Sequence, residues 1–594
     1  MKTKKNNSTT GKAFDLGLFK RLLAFTKPYK KTFYFVAIAA IVLSALGVMR
    51  PYLLRFAIDE GIVEKDAKTT QFYILMMLLV LIGEVIFQFS FIFFANWLGQ
   101  KVIRDLRVKL FNHMMDFKKQ YFDNSSVGRL VTRAVSDIET IASIFSQGLF
   151  MIISDLLKMI AVLFVMFYQS WQLTLLVLTV LPYILYATRV FQKKMKVAFE
   201  DVRAQVSNLN SFVQERISGM KIVQIFNRER EEYKNFKNIN EKHKKAWIKT
   251  VWYNAIFFPI AEMSTSITIG LIVWFGGLRV VESDALSLGI IIMFIELAQM
   301  LFRPLRQIAD KFNSLQMGMV AANRVFNIID TNSKIENQGQ IEAKNLKGDI
   351  KFQEVRFSYV KDEEVLKGIN LEVNSGETVA IVGATGAGKS TIINLLSRFY
   401  DIDSGEIIVD GKNLKSYELN SLREEIAVVL QDVFLFADSI LKNISLNKPD
   451  IKEAEIIQAA KDIGVHEFIS SLPNAYQYNV KERGAMLSSG QRQLIAFLRA
   501  YVSNPGILVL DEATSSIDSY SEQLIQEATE KITKGRTSII IAHRLATIKT
   551  ADKIIVMDQG EIKEVGKHDD LLKTNGFYKR LYEAQFEKEV NMSA

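Results

Sequence analysis

Within roughly its first 320 residues the chain carries repeated apolar runs of bilayer length, and that feature limits its fold more than any other. About 20 residues rising ~1.5 Å each cross the ~30 Å hydrocarbon layer. Six runs qualify: Thr32–Met49, continuing past Pro51; Phe72–Leu98; Gly148–Tyr168; Leu173–Phe191; Val251–Phe275; and Leu286–Phe302. Only Gln169, Ser170, Trp171 and Gln172 separate the third from the fourth, so these two form a tight hairpin. With 8 prolines in 594 residues, long uninterrupted helices are expected, and the length itself calls for at least two domains.

Charge sets the orientation. Lys+Arg exceed Asp+Glu by 74 − 64 = 10. In a membrane protein such an excess belongs to cytoplasmic segments rather than to a nucleic-acid footprint. Lys2, Lys4, Lys5, Lys12, Lys20, Arg21, Lys27, Lys30 and Lys31 all precede the first span, and stretches 99–145 and 192–250 are long and basic. Both termini and these two long loops are therefore expected on the cytoplasmic side. Segment Phe14–Phe25 alternates Leu and Phe with Lys20–Arg21, which suits an elbow helix lying in the interface. The basic start MKTKKNNSTTGK leads into no short apolar run, so a cleaved signal is not expected. Cysteine is absent, which excludes disulfides, thiolate metal sites and cysteine nucleophiles. The 5 histidines are scattered, with no H-x-x-x-H pair to suggest a structural zinc site.

After about residue 330 the texture changes. Thr331–Lys347 is polar, and from Asp349 onward short apolar runs such as Thr378–Val382 and Ile507–Leu510 alternate with helical patterns. That is the pattern of an α/β domain with buried parallel strands. The expected organisation is residues 1–31 as N-terminus and elbow helix, and 32–325 as an all-α six-span membrane domain. Residues 326–347 follow as linker and 348–594 as an α/β domain.

Strand Thr378–Val382 runs into Gly383-Ala384-Thr385-Gly386-Ala387-Gly388-Lys389-Ser390-Thr391 and then the helical pattern IINLLSRF. Strand, Gly-rich loop and helix in that order, ending in Gly-Lys-Ser, make a triphosphate cradle. Backbone N–H groups curl around phosphate oxygens and the helix N-terminus adds partial positive charge. Lys389 reaches the β/γ-phosphates and the Ser390 hydroxyl joins a Mg²⁺ shell. A plain Gly-rich turn or a dinucleotide fingerprint lacks the Lys-Ser ending. Downstream, Ile507–Leu510 ends in Asp511 and Glu512, placing one acid to hold Mg²⁺ and the next to polarise a water.

With these residues and Leu487-Ser488-Ser489-Gly490-Gln491 in hand, the chain resembles the ATP-binding cassette (ABC) family, which carries an L-S-G-G-Q signature at that point. The resemblance covers essentially the whole chain and implies the following assignments. Tyr359 stacks on adenine; Gly383, Thr385, Gly386, Ala387, Gly388, Lys389, Ser390 and Thr391 hold the triphosphate. Gln431 contacts Mg²⁺ and senses the membrane domain, and Ser390, Gln431 and Asp511 form the metal shell. Glu512 and His543 act in hydrolysis, with Ser516-Ile517-Asp518 as the D-loop. Ser488, Ser489, Gly490 and Gln491 serve in trans on the ATP of a second cassette, so the chain is half of a dimer. Tyr121-Phe122-Asp123, with Gly128-Arg129-Leu130 and Arg133 to Asp137, looks like the family's first coupling segment. Ser218-Gly219 through Phe226-Asn227-Arg228-Glu229 looks like the second. Val480–Gly484 resembles the cassette loop that touches them, with Lys481 where the family usually has glycine.

Fusion of six spans ahead of one cassette looks like the exporter branch, which implies outward transport of amphipathic compounds, drugs foremost, across a bacterial plasma membrane. A lipid flippase or peptide exporter shares the mechanism; a peptide exporter with a built-in cysteine peptidase is excluded by the absence of cysteine. A non-transporting channel or sensor is a further alternative, whereas a soluble nucleic-acid ATPase conflicts with the spans. Ser489 departs from the signature glycine, and a side chain there is expected to be strained or to obstruct the backbone. Family members with such a change pair with a chain whose own catalytic glutamate is replaced. Intact Glu512 then makes this chain the hydrolytic half of a heterodimer, although a homodimer with a tolerated serine remains open. Glu84, Asp155, Lys158, Glu262 and Glu296 lie in or near the apolar runs and are costly there. Asp155 and Lys158 are three apart and can pair; Glu296 and Glu262 are candidates to meet substrate.

Overall fold

The computed structural model describes residues 15–282, 286–511, 519–542 and 544–592, which fall into two compact units. The first comprises the described part of Met1–Met115 together with Ser125–Asn332, and it is helical. Six of its helical stretches are long and apolar enough to cross a membrane: Lys27–Val63, Ala67–Met115, Val127–Gln169, Trp171–Ser218, Glu229–Val281 and Leu288–Leu305. In hydrocarbon every peptide group has to bond within its own helix, and that requirement keeps these segments unbroken. Pro51, Pro182, Pro259 and Pro304 sit inside helices without ending them. Between the third and fourth spans the hairpin is closed by Ser170, whose hydroxyl accepts from the Leu173 amide and starts the next helix.

The basic stretches expected as long loops are largely helix. Ala67–Met115 is a single helix of 49 residues, about 74 Å long and more than twice the hydrocarbon thickness. Trp171–Ser218 and Glu229–Glu282 carry helix through most of 192–250, turning only at Gly219–Arg228 around the short helix Met220–Ile225. Arg216 and Glu232, 2.5 Å apart, pin this hairpin. The elbow helix runs Leu16–Ala24, capped by Asp15 accepting from Gly17 and Leu18. It is fastened to the far end of the sixth helix by a two-pronged Arg21–Asp330 pair, with the guanidinium also 4.2 Å from the Phe326 ring centroid.

The third span contains two wide π-helical turns, Arg133–Asp137 and Ile144–Leu149. The first turns Asp137 inward, where it accepts from Arg133 and lies 3.5 Å from Arg324 of the sixth helix. Asp155 does not use Lys158 three residues along its own helix. It pairs instead with Lys311 of the sixth helix, so the charge of each is matched across two packed helices.

The second unit joins Asp116–Asn124 to Ser333–Ala594. An antiparallel sheet contains strands β1 (Ile350–Val360), β2 (Glu363–Val373), β4 (Ser404–Val409) and β5 (Lys412–Asn413) in the order β2-β1-β4-β5. The main sheet contains β3 (Thr378–Gly383), β6 (Ile426–Val429), β7 (Ile507–Asp511), β8 (Thr537–Ile541), β9 (Lys553–Asp558) and β10 (Glu561–Gly566). Its order is β10-β9-β3-β8-β7-β6, parallel except for β10. Both faces of β3 and β7 are buried, as their continuous apolar sequences require. All the parallel strands end at one edge, so the loop after β3 and Asp511 at the end of β7 meet there.

Asp137→Ala strands Arg133 in a buried setting, and we expect a loss of about 2–4 kcal/mol. A lowered midpoint of thermal unfolding for the detergent-purified protein checks it.

Candidate functional site

The loop after β3 turns on glycines held at positive φ. Gly383 has φ +155° and Gly388 φ +98°. A Cβ on Gly383 would lie 2.1 Å from the Met557 carbonyl oxygen, and one on Gly388 would lie 2.7 Å from Leu366 Cδ2. No other residue fits either position. The loop delivers the chain into helix Lys389–Leu396, with its first N–H groups facing outward.

Lys389 is 7% exposed, and its Nζ donates to the carbonyls of Gly383 (2.7 Å) and Ala384 (3.0 Å). Burial lowers the proton affinity of this ammonium, and the Asp511 carboxylate opposes that shift. The lysine is thus held over the loop by weak carbonyl acceptors that a triphosphate would displace. Next to it, the exposed Ser390 Oγ lies 3.4 Å from Asp511 Oδ2 at the end of β7. Hydroxyl and carboxylate so placed are hard oxygen donors of the kind Mg²⁺ takes beside phosphates. Gln431 follows β6 and is exposed at the same sheet edge. Glu512, Asp518 and His543 lie outside the described residues.

Tyr359, near the end of β1, is half-buried beside this helix. Its hydroxyl donates to Thr391 Oγ1 at 3.3 Å and accepts from Asn394 Nδ2 at 3.1 Å. Phe357 and Tyr400 meet its ring nearly perpendicularly, at centroid distances of 4.8 and 5.0 Å. Asn394 and Tyr400 carry no motif, and only their places after Lys389 could have marked them.

Ser488 caps helix Ser489–Val502: its hydroxyl accepts from the Gln491 amide while the Gln491 side chain accepts from the Ser488 amide. This reciprocal box leaves the helix N-terminus presented for an anion. Ser489 is exposed in the first helical position, and it is not among the positive-φ residues. The expected backbone strain is therefore absent; a helical position takes serine as readily as glycine. Lys481 is the opposite case. At φ +60° and ψ −175° it occupies a region that belongs almost entirely to glycine, the residue the family carries there. The Asn479 side chain, accepting from the Lys481 amide at 2.9 Å, helps hold it.

Segment Asp116–Asn124 belongs to this unit. Lys118 N–H donates to the Ser333 carbonyl, Lys334 pairs with Asp116, and Lys118 lies 3.3 Å from Asp401. Tyr400 donates to Asp123, and burial together with this bond raises its phenol well above the ordinary tyrosine range. Lys119 Nζ donates to Asn394 Oδ1 at 3.1 Å. Of the membrane acids, Glu262 is exposed on the fifth helix and Glu296 half-buried on the sixth.

Comparison with known proteins matches residues 33–305 to the ABC transporter transmembrane region and residues 366–515 to the ABC transporter family. An uncharacterized ABC transporter ATP-binding protein of Bacillus subtilis (strain 168) is 35% identical over 98% of this chain and 96% of its own length. An ATP-dependent lipid A-core flippase of Syntrophus aciditrophicus (strain SB) is 34% identical over 97% of this chain and 95% of its own. A Staphylococcus aureus (strain NCTC 8325 / PS 47) protein named "Putative multidrug export ATP-binding/permease protein" is 36% identical over 96% of this chain and 100% of its own.

Lys481→Gly removes a side chain from a glycine conformation, and we expect a gain of about 1–3 kcal/mol, read as a raised unfolding midpoint.

Proposed function

The chain belongs to the ABC transporter family, and from that premise we propose that it is the hydrolysing half of an ATP-driven exporter of amphipathic compounds, the multidrug reading foremost. The observation that carries the ATP chemistry is the buried Lys389 over the β3 loop with Ser390 facing Asp511. In this reading the amides of Gly383–Thr391 hold the triphosphate and Tyr359 stacks on adenine. Lys389 leaves its two carbonyls for the β/γ-phosphates. Ser390, Asp511 and Gln431 hold Mg²⁺, which when bound offsets charge that develops on the phosphates. Glu512 takes a proton from the attacking water, His543 contacts the γ-phosphate, and Asp518 faces the partner. Ser488, Ser489, Gly490 and Gln491 close on the ATP of the other cassette through their helix N-terminus. The cassettes and both termini lie in the cytoplasm of a bacterial cell.

The partner is a second half-transporter, and we favour a different chain. Ser489 supports this through the bulk of its exposed side chain, not through strain. The exposed Ile222, Ile225 and Phe226 at the tip of the hairpin around Met220–Ile225 support a partner in general, because an apolar knob of that kind needs cover.

A second reading, a flippase for anionic lipids, is favoured by the charges within the membrane unit. Asp155 is matched by Lys311. Glu84 and Lys158 approach the same glycine, Gly47, with Oε1 3.8 Å and Nζ 3.4 Å from the Cβ it lacks. Arg50 and Arg303 lie on the first and sixth helices. These cations suit a phosphate-bearing headgroup, as Glu262 and Glu296 suit a lipophilic cation.

Two experiments test these readings. Purified alone in lipid, the chain should bind ATP with little vanadate-sensitive turnover, and Ser489→Gly should raise it; robust turnover that Glu512→Gln abolishes overturns the heterodimer. If the anionic-lipid reading holds, phosphatidylglycerol stimulates the ATPase of the assembled transporter, and Arg303→Ala removes about 1 kcal/mol of that preference. Stimulation by tetraphenylphosphonium alone returns the substrate to the multidrug class.

A further inference from the structure

One chain of hydrogen bonds runs from segment 116–124 to the helix behind the phosphate loop. Lys119 Nζ donates to Asn394 Oδ1 (3.1 Å), Asn394 Nδ2 donates to the Tyr359 hydroxyl (3.1 Å), and that hydroxyl donates to Thr391 Oγ1 (3.3 Å). Every link points the same way, so each bond polarises the next. A second arm starts at Asp123, which accepts from the Tyr400 hydroxyl; the Tyr400 ring then meets the Tyr359 ring edge-on. Lys119 also lies 5.6 Å from the Phe399 ring centroid. Both arms end on the aromatic assigned to the base, and Asn394 lies about one and a half helical turns beyond the lysine assigned to the phosphates.

We propose that Lys119, Asn394 and Tyr400 are positioning residues that tie Tyr359 to segment 116–124, so that the nucleotide base, and not its phosphates alone, sets the position of that membrane-borne segment. The proposal rests on the reading of Tyr359 as the adenine-stacking residue. A purine laid on that ring removes water from the ring and its hydroxyl, and hydrogen bonds in a drier setting are stronger. The hydroxyl is already committed at both ends, so tightening it draws on Asn394 and, through Asn394, on Lys119. With the ring fixed by stacking, Tyr400 has one edge position left against it, and the Tyr400 hydroxyl holds Asp123 in place. Each link alone is weak because Lys119 and Asp123 are exposed. Two arms that converge on one ring restrict the segment more than either does.

The absence of cysteine makes the test direct: Gln120→Cys gives a single thiol on the segment of the full-length protein in lipid nanodiscs. Its rate of labelling by a maleimide is compared with and without AMP-PNP, or with inorganic triphosphate, which has no base. AMP-PNP should change the rate about threefold to tenfold, and triphosphate should change it far less. Asn394→Ala and Tyr400→Phe should each remove at least about half of the AMP-PNP response while AMP-PNP affinity stays within about threefold. A purely structural role for these residues would not depend on the base. An equal response to triphosphate, no response to AMP-PNP, or a full response in both variants overturns the proposal. Tyr359→Ala tests the underlying assignment separately: it should weaken AMP-PNP binding and leave triphosphate binding unchanged. If it leaves AMP-PNP affinity intact, the adenine reading fails; if it weakens it while the variants respond fully, only the relay fails.

Discussion

A peptide group in hydrocarbon has no water to bond, and most of what distinguishes the membrane unit follows from that. Each segment satisfies its own backbone, so each is helix from end to end, and prolines that would break a helix in water are carried inside. Once a helix is under way, charged residues need not stop it. Ala67–Met115 continues through Lys101, Arg104, Asp105 and Arg107 with no break. The spans thus become long rods, Ala67–Met115 more than twice the hydrocarbon thickness, and rods transmit displacement where loops would absorb it.

The nucleotide unit answers a different demand, which is to gather backbone N–H groups around an anion. Glycines at positive φ in the loop after β3 expose those donors, and the capped helix from Ser489 presents a second set. Burying Lys389 lowers its proton affinity, and an anion in the cradle would favour its charged form again. Lys481 stores tension, a backbone held where lysine does not belong.

Much of this was legible in the residues. Spans announce themselves because hydrocarbon demands length and composition together, and the phosphate loop does so because its glycines and lysine have few substitutes. That lysine stands for the family's glycine at 481 was visible, but the glycine-type backbone it occupies became evident only in the structure. Reasoning from the family pattern failed at Ser489, since a signature motif does not reveal which of its glycines needs its conformation. That the connection 192–250 is largely helical was not read, because hydropathy cannot tell a polar helix from a polar coil. The pairing of Asp155 with Lys311 lay beyond reach because the two are distant in sequence. Asn394 and Tyr400 were invisible for a related reason, since their importance depends on a segment more than 270 residues earlier.

Segment Asp116–Asn124 belongs to the nucleotide unit although the chain reaches it straight from the second long helix. That unit is therefore not collinear with the gene. A cassette excised at Ser333 would leave Lys334, Tyr400 and Asp401 facing water where the native protein gives them Asp116, Asp123 and Lys118. Chimeras that exchange cassettes between relatives have to carry nine residues from the other half along with them, and recombination that respects only the obvious junction yields a mismatched seam.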